Sequence, residues 1–144
     1  MLKKFAKNTA LSLVCLIFMS LAFTFLGFLI FDLLGKFSIV GLLALFAVEL
    51  CVSYFIGREL YYAKSFGFVS ITVVPMLIIV AVLALLAVAI PVVATILQYP
   101  GAVWLESLSI KSDSLGFAFY VVVFVHYLVV DLALLLGACK KRRK

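Results

Sequence analysis

Apolar residues in this chain come in long unbroken runs. They show neither the alternation of a half-buried strand nor the one-sided stripe of a surface helix. The runs cover about residues 9–31, 38–56, 71–97 and 115–138. Each is close to or beyond the ~20 apolar residues that a helix needs to cross a ~30 Å hydrocarbon layer. The interruptions are short: 32–37, 57–70 and 99–114. The pattern predicts an all-α polytopic membrane protein, one domain over residues 1–144, folded as a four-helix transmembrane bundle. Connections this short predict consecutive helices that are antiparallel neighbours.

Composition supports lipid as part of the solvent. The chain is 68% hydrophobic and 12% charged, against roughly half and a quarter in a soluble domain. Lys3, Lys4 and Lys7 precede the first run as they would in a signal peptide. That run is too long for a typical signal core and no small-residue cleavage site follows it, so a retained first helix is expected.

The net charge of +6 changes the picture through its distribution. With the N-terminus inside, Lys3, Lys4, Lys7, Arg58, Lys64, Lys140, Lys141, Arg142, Arg143 and Lys144 are cytoplasmic, and Lys36 and Lys111 lie outside. Ten against two predicts both termini in the cytoplasm. Basic residues at the ends and in one loop read as topology and not as a nucleic-acid groove. Arg58, Lys64 and the tail Lys140, Lys141, Arg142, Arg143 and Lys144 are expected to anchor at lipid headgroups. Trp104, in the 99–114 segment, is expected in a short interfacial helix as a further anchor. Small size without large extramembrane parts points to a bacterial inner membrane.

Small residues mark packing faces: Ser20, Thr24 and Gly27 on the first helix, and Ala81, Ala84, Ala87 and Pro91 on the third. Pro75 and Pro91 are expected to bend the third helix. Cys15, Cys51 and Cys139 form no CxxC pair and no disulfide framework.

Three ionisable residues fall inside spans: Glu49, His126 and Asp131. Such residues are costly in hydrocarbon and suggest function by default. At 1.5 Å rise per residue, Glu49 and His126 each lie ~16 Å below the outer edge and Asp131 ~24 Å below it. Ser53 shares a face with Glu49, and Tyr127 with Asp131, at i, i+4 spacing. His126 and Asp131 are about 140° apart on the wheel, so a Glu49–His126 pair is easier to build than a three-residue cluster. Desolvation favours a neutral carboxyl group, which can exchange a proton for a cation. The alternative is that the pair only hydrogen-bonds and fixes helix register.

HxxxH and ExxH spacings are absent, so no metal site is expected. No GxSxG motif accompanies the single histidine, so no enzyme activity and no cofactor are expected. Two functions fit. The first is a transport or permeation component acting as a homo-oligomer around Glu49 and His126. The second is a membrane accessory, assembly or immunity-type protein working through helix–helix contacts with another membrane protein.

Overall fold

A computed structural model of the chain describes residues 1–34, 39–58, 67–89, 91–108 and 117–139. The described residues are helical almost throughout, with no strand among them. Five helices follow in order: α1 (Leu2–Leu34), α2 (Ile39–Gly57), α3 (Val74–Ala89), α4 (Pro91–Ser107) and α5 (Phe117–Cys139). A π-helical turn, Val69–Val73, leads into α3. Three helices are long and apolar enough to cross a membrane: α1, α2 and α5. Val69–Leu85 is a shorter apolar helix. Free cysteines are Cys15, buried on α1, and Cys51 and Cys139, both exposed.

The expected third span over 71–97 is divided. Pro91 does not bend one long helix; it is the first residue of α4. Proline suits that place, because the first-turn N–H it lacks has no partner inside a helix anyway. The segment read as an outer loop from 99 is largely helical, up to Ser107, with Pro100 inside the helix.

Side-chain pairs give the helix directions. Asn8 meets Ser70 and Ser12 meets Ile71, so α1 and α3 run alike. Glu49 faces His126, and Gly57 faces Leu134 eight residues further along both helices, so α2 and α5 also run alike. Ser12 meets Asp131 while Ser20 meets Tyr127, so α1 and α5 are antiparallel. Tyr99 packs on Phe28 and Trp104 on Phe23, so α4 descends against α1. Consecutive helices α4 and α5 therefore run in the same direction, contrary to the antiparallel expectation. The added break at Pro91 changes the count of reversals.

α5 lies at the centre and touches α2 most extensively. Two glycines explain the closeness. A Cβ on Gly57 would run into the Leu134 carbonyl oxygen, and one on Gly137 into that of Tyr54. The backbones touch where side chains are missing, the kind of contact that joins helices in lipid. One core cluster joins α1, α3 and α5 through Leu16, Met19, Ile79, Val123, Val130 and Leu134. A smaller one joins α1, α2 and α4 through Phe23, Leu42 and Val103.

The π turn has a cause in the sequence. Pro75 has no N–H to donate. The carbonyl four residues back is Ile71, and the one five back is Ser70. Either would take that bond in α or π geometry respectively. Helix α1 supplies both donors: Thr9 Oγ1 donates to Ser70 O at 2.9 Å, and Ser12 Oγ to Ile71 O at 2.7 Å.

Candidate functional site: a polar seam inside the bundle

Helix α1 carries Asn8, Ser12, Ser20 and Thr24, all buried. Their spacing in multiples of four keeps them close to one face. That face bonds Asp131 and Tyr127 of α5 through Ser12 and Ser20, and Glu49 and Ser53 of α2, Thr72 of the π turn and His126 of α5 are buried as well. The result is an interior seam of polar groups flanked by apolar packing.

Its first cluster centres on His126, which is 3% exposed. Trp104 Nε1 donates to His126 Nδ1 at 3.1 Å. An indole N–H can only donate, so Nδ1 must be an acceptor. The proton of the neutral imidazole then sits on Nε2, which faces Glu49 Oε1 at 3.4 Å. That distance is within ion-pair range but long for a hydrogen bond. Phe23 and Phe46 complete an aromatic box, with ring centroids 4.8 and 5.3 Å from the imidazole. Phe23 also stacks on Trp104 at 5.4 Å with an interplanar angle of 26°. Trp104 is therefore half-buried against the aromatic residues of the bundle. The sequence predicts it in a short interfacial helix as a headgroup anchor. Proline and glycine at 100–101 look like a turn, yet the helix runs through them.

The second cluster centres on Asp131, which is fully buried. Ser12 Oγ donates to Asp131 Oδ1 at 3.0 Å. Thr72 lies beside the same carboxyl group. Tyr127, one turn before Asp131 on α5, accepts a 2.9 Å hydrogen bond from Ser20 Oγ. Between the clusters, Cys15 lies near Ser53, Asp131 and Glu49.

Several buried atoms in the seam lack a hydrogen-bond partner: both Glu49 carboxyl oxygens, Ser53 Oγ, Thr72 Oγ1, His126 Nε2 and Asp131 Oδ2. Buried polar groups are ordinarily satisfied, so each such atom calls for an explanation. In this tautomer Nε2–H is a donor facing the Glu49 carboxyl group, so a proton carried along the seam can rest on Glu49 but not on His126. The path does not continue through Trp104, whose nitrogen cannot accept one.

Among the predicted site residues, Glu49, His126, Ser53, Tyr127 and Asp131 are thus all in the seam, in two clusters. Arg58 is exposed just beyond the end of α2, its backbone N–H bonded to Tyr54 O at 3.2 Å. Lys64, Lys140, Lys141, Arg142, Arg143 and Lys144 lie outside the described residues. No group of three or more His, Cys, Asp or Glu gathers as for a metal ion among the described residues. The sequence reading did not single out Ser12, Thr72, Phe23 or Phe46. The first two could have been found from the four-residue polar stripe on α1 and from the hydroxyl just upstream of Pro75.

Compared with known proteins, the chain matches no family profile, no curated sequence and no solved structure.

Proposed function

We propose that this chain is a small membrane transport component that moves protons or small cations along the seam. The observation that carries the reading is the pair of buried carboxyl groups at different levels of one bundle, Glu49 against His126 and Asp131 against Ser12, each with an oxygen that makes no hydrogen bond. A purely structural polar contact would satisfy those atoms, because a buried unsatisfied group costs roughly 1–3 kcal/mol. Steps of a conduction path are left open for a passing ion.

In this reading α1, α2, the Val69–Ala89 segment and α5 cross the membrane with both termini inside, and α4 re-enters from the outer side. The bias of basic residues supports the orientation, and the descent of α4 against α1 supports the re-entry. Glu49 and His126 are enclosed within one chain, so a homo-oligomer would cover lipid-facing surface and is not needed to build the pair. A bacterial inner membrane is the proposed setting.

The test is flux into liposomes containing the purified protein, read with a proton-sensitive dye under an imposed cation gradient. Wild type should exceed protein-free vesicles, and Glu49→Gln should lower the rate at least tenfold. Equal rates in wild type, Glu49→Gln and empty vesicles would reject transport and favour the accessory reading, in which the seam only holds the helices together.

A further inference from the structure

Asp131 and its neighbours make an acceptor-rich corner. Ser12 has one hydroxyl proton but two acceptors in reach, Ile71 O at 2.7 Å and Asp131 Oδ1 at 3.0 Å. It can serve one of them at a time. Asp131 Oδ2 and Thr72 Oγ1 are both buried and make no hydrogen bond of good geometry, although the Thr72 hydroxyl interacts with the carboxyl group. Ile71 O is one of the two carbonyls that the missing Pro75 N–H can leave bare, with Ser70 O the other. Oxygen lone pairs outnumber the protons available to them. An ionised carboxylate here would also need a counter-charge close by.

The donor set selects the ligand. Every atom is a hard oxygen: a carboxylate, two hydroxyls and a main-chain carbonyl freed by a helix irregularity. Irregular helical backbone inside membranes commonly coordinates sodium ions or protons in this way. One carboxylate balances one positive charge. Glu49 is paired with His126, and the five-residue step along α5 from His126 to Asp131 sets the two levels about 7.5 Å apart along the axis. A divalent ion, which favours several carboxylates, is therefore poorly matched.

We propose that Asp131, Thr72, Ser12 and the Ile71 carbonyl form a binding site for a dehydrated monovalent cation of sodium size. The assignment deepens the transport reading, on which it rests for its meaning as a substrate site. The Ser12 hydroxyl would turn its proton away from the ion and offer a lone pair. Ion charge would then replace the missing donors.

The experiment is equilibrium binding of radioactive sodium to the full-length purified chain in detergent, at constant ionic strength in choline chloride. Wild type should bind saturably, near one ion per chain, with displacement by lithium and none by magnesium. Asp131→Asn and the isosteric Thr72→Val should each weaken binding at least tenfold, and Cys51→Ser, at an exposed position outside the seam, should leave it within twofold. If Asp131→Asn is not recovered folded, Thr72→Val keeps the carboxylate and carries the test. Wild-type binding no higher than the choline blank overturns the site, as does undiminished binding in Thr72→Val. Flux without sodium binding would remove this site and spare the transport reading. Binding without flux would do the reverse.

Discussion

α5 meets its neighbours in two different ways. Against α2 it is packed backbone to backbone, with Gly57 under the Leu134 carbonyl and Gly137 under that of Tyr54. Against α3 it leaves an open apolar groove of about 490 Å³, lined by Ile79, Leu83, Ala84, Tyr120, Phe124 and Tyr127. A second groove of about 340 Å³ opens beside α4, over Trp104, Leu108 and His126. One face of α5 is thus fixed by main-chain contact, and the other is held by scattered side chains. Glu49 and Ser53 come from the helix in main-chain contact with α5, whereas Trp104 lines the second groove.

The comparison breaks most sharply at Gly137. Gly137→Leu should push α2 and α5 apart at a cost on the order of 3 kcal/mol or more, since the obstacle is backbone and cannot rotate away. The expected readout is a lowered thermal midpoint or loss of the monodisperse peak in size exclusion. An unchanged midpoint would mean that the two helices are not in backbone contact. Trp104→Phe should have a smaller effect. It keeps the stack on Phe23 and removes the donor to His126, leaving a buried acceptor unpaired for about 1–3 kcal/mol. Nitrogen NMR of the labelled imidazole should then show loss of the single Nε2–H tautomer. A spectrum identical to wild type would show that Trp104 does not set it. Ala84→Phe, on the groove side, should shift stability by no more than about 0.5 kcal/mol, because the added ring enters open space. A large loss there would make the groove as closely packed as the α2 seam.

Much of the helical content was legible because a span needs a long apolar run, and 9–31, 38–56 and 115–138 have one. The Glu49–His126 approach could be argued from depth and helical angle. Other features depend on partners distant in sequence. Nothing local says that Thr9 and Ser12 stand opposite the carbonyls that Pro75 leaves bare. Pro91 was ambiguous because a proline either kinks a helix or starts a new one, and the turn-like residues at 100–101 hid a continuing helix. Trp104 was placed at the interface because tryptophan is enriched there. Its partner sits 22 positions later, in α5.

The hydroxyls that answer Pro75 also bear on how the protein is made. In hydrocarbon a bare carbonyl costs several kcal/mol, so the stretch from Val69 to Val73 is a poor candidate for insertion by itself. Synthesis from the N-terminus resolves this. In the proposed topology, helix α1 leaves the ribosome first, and Thr9 and Ser12 would already be in the bilayer when Ser70 and Ile71 arrive. The first helix thereby acts as a template for the later one, and the order of genes in an engineered split of this chain would have to respect it.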